Sequence, residues 1–358
     1  MTIYDELPAI YRIKRAQTDV DRIANEFYEA SLDLDPVLAT EHGRTGVETL
    51  FGDYSPAGEE AYAKLVKKTL KKLDKIIPID DTDLVTLDAM QERLTLTRQM
   101  RRAGLGRWQL NNIFSAPQQI RTSFDLMSRE NERDWTHIAG RLANVPGAID
   151  GFIQTLEAAR AEGKVSPRRQ VQIVIEQAEA YIADGGFFDA LAAEITAAAP
   201  AIMEQAREGA QAAKDGYRAL ITYLRDTLLS EAPSKDAVGR ELYTLYSRES
   251  LGASIDLDET YAWGVQELER IITEQHTVAS EIEPGASIER AKELLDMDPV
   301  RALHGTEALQ EWMQTHADTA ADCCQTVANC GDRTGNFHYF SFQQCPGRNP
   351  SSAEQSLL

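Results

Sequence analysis

Apolar residues recur every three or four positions along most of this 358-residue chain, and that period constrains its fold more than any other feature. The spacing is typical of amphipathic α-helices, whereas a half-buried strand alternates apolar and polar residues. Alternating runs of β-branched residues are nearly absent, and no Asn-Gly hairpin joins two of them. The clearest helical stripes are Ile23, Phe27 and Ala30; Tyr62, Val66, Leu70 and Leu73; Leu84, Leu87, Gln91 and Leu94; Val171, Val174, Ala178 and Tyr181; and Ile202, Ala206, Ala213, Tyr217, Leu220 and Leu224. We therefore predict an all-α, multi-helix array with less than about a tenth of its residues in strands.

Local signals predict where several of these helices begin and end. The segment from Thr18 to Asp21 resembles a capping box, and the acids from Asp80 to Asp83 suit a helix N-terminus. Asp256, followed three residues later by Glu259, predicts a helix from about Leu257 to Glu274. Proline and glycine predict loops at Tyr54-Ser55-Pro56, Ser115-Ala116-Pro117, Asn144-Val145-Pro146-Gly147, Asp184-Gly185-Gly186 and Glu283-Pro284-Gly285. The small residues of the Ile202–Leu224 stripe predict close helix packing.

Charge excludes some classes of partner. The chain has 57 acidic and 37 basic residues, a formal charge of −20. Such a surface repels phosphate backbones and anionic lipids, so we expect neither nucleic acid nor membrane as a partner. Lys67, Lys68, Lys71 and Lys72 predict a solvated helix face rather than a polyanion site, because no aromatic residues lie between them. The first residues lack the basic and apolar parts of a signal peptide, which predicts a cytoplasmic location.

Motifs for metal or nucleophile chemistry are incomplete. The sequence contains no His-Glu-x-x-His, no Gly-x-Ser-x-Gly and no P-loop. Asp134 with His137, and His304 with Glu307, offer two ligands each, but zinc needs three or four. A zinc tail built from Cys323, Cys324, Cys330, His338 and Cys345 is an alternative, although adjacent cysteines do not easily share one ion. We predict no catalytic residue and no metal ligand in this chain.

Tyrosine, arginine and carboxylate residues gather between Gly239 and Gly264. Side chains of these types recognise peptide backbones and carboxy termini. We predict a substrate-binding role for Tyr243, Tyr246, Arg248, Glu259 and Tyr261. In the structural alternative, which stays open, Asp256 and Glu259 only cap a helix and Tyr261 only packs.

The same segment carries a resemblance to a known family. Gly239 to Arg248, Ile255 to Gly264 and Leu295 to Pro299 resemble the bacterial family called domain of unknown function 885. Further matches lie at Asp53 to Pro56, Ser115 to Met127 and Gly305 to Gln314, so the resemblance covers residues 1–318 in order. Members look like α-helical, zincin-like metallopeptidases. The resemblance therefore implies that this chain forms the N-terminal portion of that fold, along one side of a substrate cleft.

The family's zinc motif, His-Glu-Gly-x-Pro-Gly-His, has no counterpart in this sequence. The resemblance thus implies a truncated member that is inactive as given, with zinc expected only in full-length relatives. Those relatives would hydrolyse peptide or related amide bonds by zinc-activated water, with a glutamate as general base. The partners that follow are a peptide or the missing C-terminal half. The alternative is a non-catalytic helical module that binds a protein partner.

Composition changes abruptly near Thr319. All four cysteines lie beyond it, and the helical period is no longer evident. We predict that residues 319–358 are irregular and are translated out of the family's reading frame after a frameshift. Translating the DNA in the other two frames checks this, because one of them must then contain the zinc motif.

Overall fold

A computed structural model describes the backbone of residues 15–330 and the side chains of residues 15–321, and none of these residues lies in a strand, which confirms the all-α prediction. The helices are α1 (Asp19–Leu34), α2 (Pro36–Glu41), α3 (Pro56–Leu73), α4 (Asp81–Arg102), α5 (Ala116–Thr122), α6 (Glu132–Ala161), α7 (Arg168–Ile182), α8 (Phe187–Ala198), α9 (Met203–Tyr223), α10 (Leu229–Glu231), α11 (Arg240–Leu251), α12 (Leu257–Ile282), α13 (Ile288–Met297) and α14 (Thr306–Cys330). A 3₁₀ turn (Pro200–Ile202) precedes α9, and a π-helical turn (Leu224–Leu228) follows it. The chain divides into a first unit that ends at Ile255 and a second unit that begins at Asp256.

The predicted helix starts are confirmed. Thr18 accepts a 3.1 Å hydrogen bond from the Asp21 amide, and the Asp21 carboxylate accepts one of 3.0 Å from the Thr18 amide. The Asp256 carboxylate accepts the amides of Asp258 and Glu259 at the start of α12. That helix continues to Ile282, eight residues past the predicted end, because no helix-breaking residue precedes Pro284.

The main core of the first unit lies where α6 packs against α9. Residues 144–147, which the sequence predicts as a loop, lie instead inside the 30-residue helix α6. Helix α9 approaches Pro146 closely: a methyl group on Gly216 would lie 3.1 Å from the Pro146 Cα. Burial of apolar side chains along α6 offsets the hydrogen bond that the proline cannot donate. The predicted close packing of the α9 segment is confirmed.

A smaller core joins α1, α3 and α4. The predicted stripe of α4 is right at Leu87 and Leu94 but wrong at Leu84, which is 56% exposed while its neighbour Asp83 is buried. Thr18, Arg15 and the Ile79 amide all donate hydrogen bonds to the Asp83 carboxylate. Burial alone would raise the pKa of Asp83, but these hydrogen bonds outweigh it and lower that pKa. A buried polar network therefore replaces an apolar contact at this helix start.

The prediction of irregular structure from Thr319 onward is wrong for residues 319–330, which continue α14 to Cys330. Alanine is the strongest helix former, so Ala320 and Ala321 favour continuation of the helix past Thr319. The rest of that prediction, at residues 331–358, lies outside the described residues. Among the helices described, none combines the length and the apolar character that crossing a membrane requires.

Candidate ligand-binding cleft

A cleft of about 950 Å³ opens in the first unit between α3, α4, the C-terminal part of α6 and α11. Residues 104–109, which follow α4, form part of its wall. Volumes of several hundred Å³ are typical of sites that hold small ligands. The cleft is therefore large enough for a short peptide.

The segment after α4 is held in place by several hydrogen bonds. Gly104 has a φ of 82°, a left-handed conformation that favours glycine, and its carbonyl accepts the Trp108 indole N–H at 2.9 Å. The Gln109 side-chain oxygen accepts the Gly106 amide, and Glu59 of α3 accepts the Arg107 amide at 2.8 Å. These contacts fix Trp108 and Gln109 in the cleft wall.

Helix α11 brings Tyr246 to the same cleft. The Gln109 side-chain amide donates a hydrogen bond to the Tyr246 hydroxyl oxygen. Burial raises the pKa of Tyr246 even though this hydrogen bond lowers it, so the phenol keeps its proton. Because the oxygen accepts from Gln109, the hydroxyl proton points elsewhere, and no acceptor for it lies among residues 15–321. Tyr246 therefore offers a free donor to a ligand.

The other predicted residues of α11 lie outside the cleft lining. The Arg248 guanidinium contacts Glu92 at 2.7 Å and Gln99 at 3.1 Å, both on α4. In return, Arg93 of α4 donates to the carbonyls of Arg248 and Glu249 at the end of α11. Arg248 thus attaches α11 to α4 and positions Tyr246. Tyr243 is 56% exposed.

Glu259 and Tyr261 belong to the second unit. The Glu259 backbone amide donates to the N-cap Asp256, and Tyr261 is 76% exposed on α12. Their role in substrate binding stays a prediction, as it does for Tyr243 and Arg248.

The charge of the cleft is opposite to that of the chain. Its lining includes six basic residues, Lys67, Arg98, Arg101, Arg102, Arg107 and Lys164. It includes only three acidic ones, Glu59, Glu162 and Glu249. Sequence reasoning missed this site, because its basic residues come from three separate segments that only packing brings together. The one signal was the basic face of α3: Lys67 and Lys68 are exposed, as the sequence predicts, and Lys67 also lies in the cleft wall.

Residues 15–321, whose side chains the structure describes, contain no group of three or more His, Cys, Asp or Glu side chains that could hold a metal ion. Asp134 serves as a local acceptor instead, for Ser128, the Glu130 amide and Asn131 near the start of α6. This part of the chain therefore does not fit the zinc that the resemblance implies for full-length relatives. The predicted zinc-tail side chains lie outside what the structure describes.

Two solved structures share the fold. A predicted lipoprotein from Colwellia psychrerythraea is 16% identical with a TM-score of 0.65, over 87% of this chain and 60% of that one. A predicted lipoprotein of unknown function from Shewanella oneidensis is 14% identical with a TM-score of 0.60, over 95% of this chain and 67% of that one. At such identities the likeness shows the fold alone. This chain thus spans about 60% of the length of the Colwellia protein.

A search of curated proteins gave no match. A family model described as a bacterial protein of unknown function (DUF885) matches residues 36–330, so the match continues past Thr319. Because that match covers well over half of the chain, this protein belongs to the DUF885 family.

Proposed function

We propose that this chain binds peptides in the α3–α4–α6–α11 cleft, as the substrate-binding helical part of a protein that hydrolyses peptide or related amide bonds. The observation that carries the proposal is the position of Tyr246, whose free donor lies in a cleft with Trp108 and Tyr62. Peptides present carbonyl acceptors and apolar side chains, and sites of this composition bind both. The proposed reaction, hydrolysis of peptide or related amide bonds, comes from the resemblance to zincin-like peptidases.

We assign no bond-cleaving role to the residues that the structure describes. The resemblance implies that zinc supplies an activated water in full-length relatives. Since residues 15–321 offer no fitting ligand set, their proposed task is to bind and orient the substrate. We likewise expect a peptide as ligand rather than nucleic acid or lipid, because the chain is strongly acidic. The cytoplasmic location stays a prediction.

The Tyr246→Phe variant tests the proposal. It keeps the ring and removes the hydroxyl donor, so affinity for pentapeptides with free termini should fall about three- to tenfold. Isothermal titration calorimetry measures this with peptides that carry an aromatic, aliphatic or charged central residue. Tyr28→Phe is the control, because Tyr28 is an exposed tyrosine of α1 outside the cleft lining, and this variant should bind as the wild type does. Absence of binding to the wild-type chain, or an equal loss in both variants, would overturn the proposal.

An exposed apolar stripe on α12 supports a second candidate function, binding of a protein partner. Each of its residues is between 38% and 76% exposed: Tyr261, Val265, Leu268, Ile272, Val278 and Ile282. Among the second-unit side chains that the structure describes, only Ala279 and Ala291 are buried. Contiguous exposed apolar surface marks protein contacts. The partner would be polypeptide equivalent to the part of the Colwellia fold that this chain does not span, or a separate protein.

Sedimentation velocity distinguishes these two partners. If further polypeptide of the same fold normally covers the stripe, the isolated chain should self-associate, and Leu268→Glu with Ile272→Glu should make it monomeric. The matched control, Gln266→Glu with Thr273→Glu, adds the same charges to the opposite face of α12 and should still self-associate. A wild-type chain that is monodisperse would instead favour the independent protein-binding module.

A further inference from the structure

We propose that the cleft recognises a carboxylate of its ligand, which Arg98 and Arg102 of α4 hold together with Lys67 of α3. This inference rests on the proposed peptide binding and adds the charged group that the site selects. The carboxy terminus of a peptide is the source that we commit to.

The cleft lining has a local excess of positive charge. Across the chain, acidic residues outnumber basic ones 57 to 37, yet among the residues that line the cleft basic ones prevail six to three. A concave surface lined by one sign of charge concentrates ligands of the opposite sign. An acidic protein with a basic cleft therefore directs anionic ligands to that cleft.

Three of the six basic side chains that line the cleft already have partners. Arg101 pairs with Glu60 at 2.7 Å, and Lys164 pairs with Glu162 at 2.6 Å. The Arg107 guanidinium donates to the Asp53 carbonyl at 2.9 Å and lies over the Tyr54 ring. The three remaining basic side chains, Lys67, Arg98 and Arg102, are exposed and form no hydrogen bond or ion pair with residues 15–321, although the charge of Lys67 helps to lower the pKa of Glu60. Their charges are therefore available to a ligand that enters the cleft.

The positions of Arg98 and Arg102 on α4, and of Lys67 on α3, also favour a carboxylate ligand. Arg98 and Arg102 are one turn apart on α4, so their side chains are neighbours on one face and repel each other. Helix α3 packs against α4 and adds Lys67 to the same cleft. A carboxylate near the arginines would relieve the repulsion, and a guanidinium binds a carboxylate through two parallel hydrogen bonds.

Helix polarity explains only part of this arrangement. Basic residues are favoured in the last turn of a helix, where the carbonyl ends carry partial negative charge, and Arg102 is the last residue of α4. Arg98 lies a full turn earlier and Lys67 lies in the middle of α3, so the helix end does not account for either. The cluster therefore needs a cause beyond the helix terminus.

A pair of peptides isolates the carboxylate. One pentapeptide is prepared with a free carboxy terminus and again as its C-terminal amide, and both are titrated into the wild-type full chain by calorimetry. We expect the acid to bind about tenfold tighter than the amide, because charge-assisted hydrogen bonds are lost with the amide. The difference should shrink in 0.5 M salt, which screens exposed charges. Equal affinities would overturn the inference and leave the proposed peptide binding intact, whereas absence of binding by both peptides would overturn the two together.

Variants assign the effect to the proposed residues. Arg98→Gln with Arg102→Gln should weaken the acid about tenfold and leave the amide unchanged. The control, Arg133→Gln with Arg207→Gln, removes the same charge from exposed helical positions outside the cleft and should bind both peptides as the wild type does. An equal loss in the control would overturn the inference, since overall charge would then explain the preference. If inorganic phosphate displaces acid and amide equally well, the cleft is a phosphate site and the carboxylate assignment is wrong.

Discussion

Replacing Gly58 by alanine is expected to destabilise the protein by about 3 kcal/mol, because the new methyl group meets backbone that cannot move away. That methyl would lie 2.0 Å from the Asp53 carbonyl oxygen, well inside van der Waals contact. The Asp53–Ser55 turn is held from several sides: Arg107 donates to the Asp53 carbonyl, Thr155 donates to the Tyr54 carbonyl at 2.7 Å, and the Tyr54 side chain is buried. Relief would require the start of α3 and the Asp53–Ser55 turn to move apart.

Gly147→Ala is the matched control for this prediction. Gly147 also lies in a helix, but a methyl group there has nothing within 4 Å. Alanine restricts the unfolded chain and favours the helix, so this variant should gain about 0.5–1 kcal/mol. Urea unfolding followed by circular dichroism measures both free energies. Similar stabilities for the two variants would contradict the prediction.

Replacing Arg141 by methionine is expected to stabilise the protein by about 2 kcal/mol. The Arg141 side chain is fully buried, and its one hydrogen bond goes to the neutral Thr40 hydroxyl at 2.8 Å. Its Nε and Nη1 atoms have no acceptor among residues 15–321. A buried charge without a carboxylate partner is unfavourable, and methionine fills a similar elongated space without polar atoms. Urea unfolding at pH 7 measures the gain.

The pH dependence and a control variant make this prediction specific. Burial lowers the pKa of Arg141 to about 10, although the charge of Glu48 raises it. The unfavourable burial is therefore present in full below about pH 10. Above that pH the folded wild type releases the proton before the unfolded chain does, so the advantage of Arg141→Met should shrink. Arg160→Met should instead lose stability, because Arg160 pairs with Glu157 and Glu231 at the surface. A destabilised Arg141→Met variant would contradict the prediction.

Only part of the cleft could be recognised from the sequence. Tyr246 stood out because it lies among tyrosines, arginines and acids within a few turns of one helix. Its partner Gln109 is 137 residues away and belongs to no motif, so only folding shows that the two side chains meet. Arg248 carries the same local signal as Tyr246, yet it is engaged by Glu92 and Gln99 of α4. Residue type within a segment therefore indicates that a site is nearby, but not which side chains face it.

The amino-acid sequence alone determined the helical class and the positions where helices begin, as the caps at Thr18 and Asp256 show. Periodicity and capping depend on residues within about one turn of each other, so they can be read without knowledge of the fold. Only the tertiary structure decided that Pro146 lies inside a helix, that Asp83 is buried beside exposed Leu84, and that Arg98 and Lys67 share a cleft. Each of these outcomes is set by contacts between segments far apart in the chain, where burial and hydrogen bonding outweigh local preference.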